Sequence, residues 1–363
     1  MSNDEEVLFD LDQYEEKAKE MIEDNFIRRY IFEGADFDQG IRRNREALKD
    51  ILLYPRVCRG LAKKRDLSTK ILGHEISLPI GFSPTMCRSW IQHDGELAAA
   101  EVAIEMNFPF CLSFVAETPL ERVAKCYKRT PNCVKFFGVS LYDEESLREV
   151  VDRAEKCNYH GLVVTVDHPC HGNRRFDKED HEEYKQFSNI TMPNLPKKMQ
   201  EEFKDENASY DQSPPETFED LAMLKKMTKL PVIAKGILRP EDALACVKAG
   251  IDAVWVSNHG GRQLGDCPAT VELLQDIAPV LKGSGVELYI DGGFRHGADV
   301  LKALAIGANC VFVGRPVLSG LAVNGKDGIE ESMKLMRKEL DIAMALCGCN
   351  SISDIDSSVL WSK

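Results

Sequence analysis

The sequence predicts a closed (β/α)8 barrel, and three observations carry that prediction. Eight short apolar runs recur along the chain: Leu78–Pro84, Phe108–Ser113, Cys133–Ser140, Gly161–His168, Pro231–Ile237, Ala253–Gly260, Val286–Gly293 and Cys310–Pro316. Such runs, rich in Val, Ile and Phe with little polar alternation, are strands buried on both faces and therefore parallel. Helix-like segments follow most of them, and 363 residues suit one barrel with insertions. An open doubly wound sheet is the alternative architecture.

Residues 1–77 read as a helical extension ending in a hairpin-like segment, packed on a barrel spanning 78–350. Within the barrel, Gly95–Met106 is alanine-rich, and Glu144–Cys157 lines up Leu147, Val150, Val151 and Ala154 on one helical stripe. Residues 169–216 form a long insertion after the fourth strand, and loops of that length are usually functional lids or mobile. Its charge run, Asp177-Lys-Glu-Asp-His-Glu-Glu, reads as a solvated face, and its later Ser213-Pro-Pro reads as mobile loop. Thr217-x-x-Asp220 is a capping-box pattern, and Pro240 opens Pro240–Ala249 at a favoured first-turn position. Ile329, Met333, Met336, Leu340 and Met344 repeat at helical spacing and predict core packing, with residues 351–363 as a tail.

Lys and Arg number 46 against 59 Asp and Glu, a net charge of −13. Nucleic-acid binding, which needs a basic footprint, is therefore disfavoured. The twelve cysteines include no CxxC pair, and several lie inside apolar runs, so we expect reduced thiols, no metal site and an intracellular protein. The N-terminus lacks a signal-peptide pattern, and no apolar run approaches the ~20 residues that span a membrane.

In this fold catalytic groups project from the C-terminal strand ends. Those ends read Thr85, Ser113, Ser140, Asp167, Lys235, Ser257 with His259, Asp291, and Gly314 with Arg315. The turns Asp291-Gly-Gly-Phe-Arg295 and Gly314-Arg315-Pro, each leading into a helix, suit a phosphate. No dinucleotide fingerprint follows a strand, so the expected ligand is a mononucleotide-type phosphate. His259 is a candidate base beside Asp167, and Arg262 offers a fork for a carboxylate. Lys235 supplies a cation or, in the alternative of an aldolase, a Schiff-base nucleophile.

These residues resemble the FMN-dependent L-2-hydroxyacid oxidases and dehydrogenases, glycolate oxidase above all. The resemblance runs from about Tyr14 to Cys349 through Tyr30-Ile-Phe-Glu-Gly-Ala, Leu78-Pro-Ile-Gly-Phe-Ser-Pro-Thr, Leu162-Val-Val-Thr-Val-Asp-His-Pro, Leu230-Pro-Val-Ile-Ala-Lys-Gly, Val256-Ser-Asn-His-Gly-Gly-Arg-Gln-Leu and Val313-Gly-Arg-Pro. It implies FMN lined by Pro84, Thr85 and Met86. Ser113, Thr165, Lys235 and Ser257 would contact its isoalloxazine and ribityl parts. Asp291, Gly293, Arg295, Gly314 and Arg315 would hold ribitol and phosphate. Arg262, Arg174 and Tyr30 would orient the substrate, while His259 would act as base, supported by Asp167. Lys235 would stabilise the negative charge of the reduced ring.

The chain departs from the family pattern on three strands. Phe137-Gly138-Val139-Ser140 stands where Phe-Gln-Leu-Tyr is usual, and Phe114-Val115 where Ser-Trp is common. After Asp167, His168-Pro-Cys-His-Gly172-Asn-Arg174 keeps only the expected Gly and Arg. The resemblance implies oxidation of an L-2-hydroxy acid to a 2-oxo acid with oxygen as acceptor and peroxide as product. A divergent FMN-binding paralogue of weak activity and an FMN-dependent isomerase are the alternatives. It also implies a homo-tetramer and, less directly, the peroxisome, since the C-terminal Trp361-Ser-Lys363 is not a Ser-Lys-Leu address.

Overall fold

The computed structural model describes residues 7–86, 88–175, 191–202 and 217–361. Eight parallel strands close into a barrel, and each lies inside one of the eight predicted runs. After a hairpin, β1 (Thr69–Ile71) and β2 (His74–Ile76), they are β3 (Ile80–Phe82), β4 (Phe110–Leu112), β5 (Lys135–Val139) and β6 (Gly161–Thr165). The remaining four are β7 (Val232–Ile237), β8 (Ala253–Val256), β9 (Glu287–Ile290) and β10 (Cys310–Val313), with β10 closing onto β3.

Among the described residues three helices precede the hairpin, α1 (Leu11–Met21), α2 (Asn25–Phe32) and α3 (Gln39–Asp50); Asp10 and Asp24 cap the first two through their side chains. Among the described residues, the barrel helices are α4 (Arg88–Ile91), α5 (Gly95–Met106), α6 (Leu120–Cys126), α7 (Glu144–Lys156), α8 (Lys197–Glu202), α9 (Phe218–Met227), α10 (Pro240–Ala249), α11 (Thr270–Leu281) and α12 (Gly297–Ile306). Thr217 and Asp220 form the predicted capping box on α9. The last helix, α13 (Arg315–Leu346), breaks at Asn324 and Gly325, and its Ile329, Met333, Met336, Leu340 and Met344 are all buried.

Two cores result. Strand side chains that point outward pack with the helices, and Leu11, Tyr14, Ala47 and Leu48 from α1 and α3 join them. Inside the barrel, Trp255, Tyr289 and Phe312 stack with centroids 4.0–6.2 Å apart, together with Phe136, Val163 and Ile233. Ile71 and Ile76 of the hairpin belong to this inner cluster and close one end of the barrel. The aromatic filling explains Gly81 on β3, where a Cβ would meet the Phe312 ring at 2.5 Å.

The insertion after β6 is described only in part, and its charge run and Ser213-Pro-Pro lie outside the described residues. Its Asn194 is fully buried, accepting from Leu120 N and donating to the carbonyls of Ala116 and Thr118. All eleven described cysteines are free, and among the described residues no His, Cys, Asp and Glu group could hold a metal. No described helix is long and apolar enough to cross a membrane.

Candidate active site

The C-terminal strand ends carry the polar ring that the sequence predicts. At the end of β8 the chain runs Ser257-Asn258-His259-Gly260-Gly261, with three successive left-handed residues (φ 55°, 66° and 78°). Glycine meets that demand twice, while His259 adopts a conformation that costs a non-glycine residue about 1–3 kcal/mol. Asn258 holds the turn: its amide pairs reciprocally with Asn44 of α3 at 2.9 Å, and its Oδ1 accepts from Gly261 N. The backbone N–H of His259 donates to Ser257 Oγ at 3.2 Å.

So held, the His259 ring places Nδ1 3.0 Å from Oδ1 of buried Asp167, just past β6. Burial pushes the imidazole below its usual pKa, against the opposing pull of Asp167. Burial also works against the Asp167 carboxylate, but His259 and then Lys235 hold its pKa below the usual range. The pair is a neutral imidazole backed by a carboxylate, the arrangement of a general base. Gly236 makes room for it: a β-bulge there has φ 110°, and a Cβ would lie 2.5 Å from Asp167 Cβ.

Lys235 precedes that bulge and points into the ring. Its Nζ donates to Ser257 Oγ at 3.0 Å, lies 3.7 Å from Asp291 Oδ2 and sits over the Trp255 ring. Burial alone would lower its pKa, but Asp291 and then Asp167 outweigh that penalty and raise it, which keeps it an ammonium. Ser83 donates to Asp291 Oδ2 at 3.5 Å, and Thr270 Oγ1 donates to the Asp291 carbonyl. Ser113 Oγ accepts from Val115 N, and Thr165 closes β6 beside Lys235 of β7.

Arg262, Arg174 and Tyr30, the three residues expected to orient substrate, lie side by side. Arg262 donates to the carbonyls of Tyr30 and Glu33, and its guanidinium lies 4.5 Å from the Tyr30 ring centroid. Tyr30 OH reaches Met86 Sδ at 3.5 Å. Arg174 donates from Nε to the Arg262 carbonyl and from Nη2 to Gln263 Oε1, each at 3.1 Å. His168, one of the family departures, puts its ring 5.8 Å from that of His259 and edge-on to His171; burial lowers its pKa to about 4, so it is neutral at pH 7.

The two glycine–arginine turns differ from one another. Gly314 opens α13, and Arg315 donates to the backbone carbonyls of Ile31, Gly260 and Glu33. No carboxylate within ion-pair reach of Arg315 occurs among the described residues. Burial, then Arg262 and Arg295 nearby, lowers its pKa to about 9, a shift that a neighbouring anion would oppose. Arg295 instead forms a buried ion pair with Glu15 of α1 at 2.8 Å. Burial alone would raise the Glu15 pKa, but Arg295, Arg45 and Lys19 bring it to about 2. Gly293, with φ 90°, packs directly against the Asn44 backbone.

Three buried polar atoms of the ring, Thr85 Oγ1, Asp291 Oδ1 and Asp167 Oδ2, have no hydrogen-bond partner among the described residues. Native proteins rarely leave such groups unsatisfied, and a polar ligand on the rim would satisfy them. A hydroxyl-bearing chain ending in a phosphate, set beside Lys235, fits these donors and acceptors.

A parallel barrel whose C-terminal rim gathers a histidine–carboxylate pair, a buried lysine and clustered arginines has the makings of an enzyme active site. Residues 18–362 match the model of the FMN-dependent dehydrogenase family. The chain is 37% identical to human 2-hydroxyacid oxidase 1, covering 96% of this chain and 95% of that protein. It is 36% identical to a peroxisomal (S)-2-hydroxyacid oxidase of Arabidopsis thaliana with the same coverages. A solved structure of mandelate oxidase with (S)-2-phenylpropionate superposes with a TM-score of 0.86 at 31% identity, over 98% of this chain and 99% of that one. The chain belongs to the FMN-dependent dehydrogenase family and stands among its 2-hydroxyacid oxidases, with FMN as its cofactor.

Sequence reasoning missed Asn44, Glu15 and Gln263. Only the last lies in a recognisable motif.

Proposed function

We propose that the enzyme oxidises an L-2-hydroxy acid to the 2-oxo acid and that oxygen takes up the electrons, leaving as hydrogen peroxide. The observation that carries this reading is the His259–Asp167 pair, 3.0 Å apart, on the rim that also gathers Arg174 and Arg262. The two guanidiniums bind the substrate carboxylate, with Tyr30 beside them. Nδ1 of His259 faces Asp167, so Nε2 is free to take the hydroxyl proton, and Asp167 stabilises the resulting imidazolium. Bound FMN supplies the two-electron acceptor. Lys235, with Ser113, Thr165 and Ser257, would contact its ring and ribityl parts, and the Lys235 ammonium would supply positive charge beside the ring. Pro84, Thr85 and Met86 would line it, while Asp291, Gly293, Arg295, Gly314 and Arg315 would hold ribitol and phosphate. Arg315 is the principal phosphate cation, because Glu15 shares Arg295.

The test is anaerobic mixing of FMN-loaded enzyme with glycolate, (S)-lactate, (S)-mandelate and (S)-2-hydroxyoctanoate, followed by oxygen. Bleaching of the flavin by at least one acid and stoichiometric peroxide on reoxidation are expected. Stable FMN binding with no bleaching would favour instead a poorly active paralogue, the reading that Gly138 and Ser140 support.

A pH dependence follows from the pair. Protonated His259 cannot accept a proton, and burial holds its pKa below about 6.5, so kcat/KM should fall only on the acid side of that value. Asp167 is the group that pulls this pKa up. Asp167→Asn should therefore move the acid limb to still lower pH, while lowering the plateau at least about tenfold through loss of a charged hydrogen bond. A limb that moves to higher pH would overturn the assignment.

Peroxisomal relatives support placing the enzyme in that compartment. We also take it to be a homo-tetramer, as its family resemblance implies.

A further inference from the structure

We infer that Gln263 is a positioning residue that sets Arg174 for the substrate carboxylate by tying together the two loops that carry the site. The inference rests on the reading of Arg174 given above.

Its side-chain amide uses all four of its hydrogen-bonding valences. Nε2 donates to the carbonyl of Asp167 at 2.8 Å and to that of Cys170 at 2.9 Å. Oε1 accepts from Gly172 N at 3.3 Å and from Arg174 Nη2 at 3.1 Å. Two partners can only accept and two can only donate, so the orientation of the amide is unambiguous. Three of the four anchors are backbone groups, spaced along residues 167–172. The fourth is the guanidinium.

The loop after β6 carries Asp167 and Arg174, and the loop after β8 carries His259 and Arg262. Gln263 follows Arg262 and bridges back across this divide. A second tie runs beside it, from Arg174 Nε to the Arg262 carbonyl. Gly172 permits the close approach, since a Cβ there would lie 2.7 Å from Gln263 Cα. Arg174 thus has two of its donors fixed from behind, which orients the planar fork and lowers the entropy lost on gripping a carboxylate. Glutamine suits this task where glutamate would not. A carboxylate would place a second acceptor against the carbonyls of Asp167 and Cys170, and it would compete with the substrate for Arg174.

The experiment follows flavin reduction in FMN-loaded Gln263→Leu and Gln263→Glu, using whichever acid of the panel above bleaches the wild type fastest. Half-saturation is expected to rise about tenfold or more in both variants, with a smaller fall in the limiting rate and FMN affinity unchanged. Gln263→Glu preserves volume, so it reports even if the leucine variant folds poorly. In an Arg174→Ala background, Gln263→Leu should change half-saturation less than about threefold, because the group it positions is gone. Half-saturation within twofold of wild type in both variants would refute the inference, as would additive effects in the double variant. A parallel loss of FMN affinity would also refute it, by exposing a merely structural role. If Arg174→Ala alone leaves half-saturation unchanged, the assignment of Arg174 fails and takes the inference with it. A raised value there beside wild-type behaviour of the Gln263 variants refutes the inference alone.

Discussion

Replacing His259 is expected to slow flavin reduction by the substrate about 10²–10⁴-fold, the usual contribution of a positioned acid–base group, while FMN remains bound. The choice of replacement matters because His259 has φ 55°. Alanine there carries the strain of a left-handed backbone, whereas asparagine tolerates that region and cannot accept the proton. His259→Asn is therefore the cleaner probe. It keeps the backbone donor to Ser257 Oγ and hence the turn that Asn258 and Asn44 secure. Asp167 does not become an isolated charge, because Lys235 still stabilises it. The effect should fall on the limiting rate of anaerobic reduction, read by stopped flow at saturating substrate. A His259→Asn enzyme that reduces its flavin at the wild-type rate would show that the base lies elsewhere.

The barrel was legible because its strands are buried on both faces, and a continuous apolar run is a local property. Every run but that of β7, which ends with its strand at Ile237, extends past the strand because the residues beyond it are the rim: β8 stops at Val256, yet its run continues through Ser257 and His259 to Gly260. The capping box at Thr217 and the proline at Pro240 were legible for the same reason, since both act within one helical turn. What sequence spacing could not show is the service of α1 and α3 to the site. Asn44 meets Asn258 across 214 positions, and Glu15 meets Arg295 across 280. Neither residue stands out in a polar helix, where asparagine and glutamate ordinarily face water. Phe114, where the family commonly has serine, is half-buried and packs against the core shared with the barrel helices.

Ser140→Tyr is expected to raise activity on glycolate about 10–150-fold, the worth of a hydrogen bond to a charged group at ~1.5–3 kcal/mol. The argument begins with strand parity. Phe136 of β5 belongs to the inner cluster, while Phe137 and Val139 pack outward, so Gly138 and Ser140 face the inside of the barrel toward its rim. A serine there is shorter than a tyrosine by an aromatic ring, leaving room that a small acid such as glycolate does not fill. A longer hydroxy acid fills it with apolar surface, at roughly 25 cal/mol per Å² buried. The wild type should thus prefer (S)-2-hydroxyoctanoate to glycolate, and Ser140→Tyr should reverse that preference by supplying the hydroxyl and occupying the space. Gly138 is less free to change. A Cβ there would lie 3.0 Å from the Leu112 carbonyl and 3.4 Å from Phe114 N, so β4 must give by a few tenths of an ångström to admit any side chain. Gly138→Gln should accordingly lower Tm, and it should add to the gain on glycolate only if that shift occurs. Steady-state kinetics on both acids, with Tm for each variant, separate these effects. A wild type already fast on glycolate, together with no gain in Ser140→Tyr, would mean that another group already makes the contact; neutral His168, beside His259, would then be the next side chain to replace.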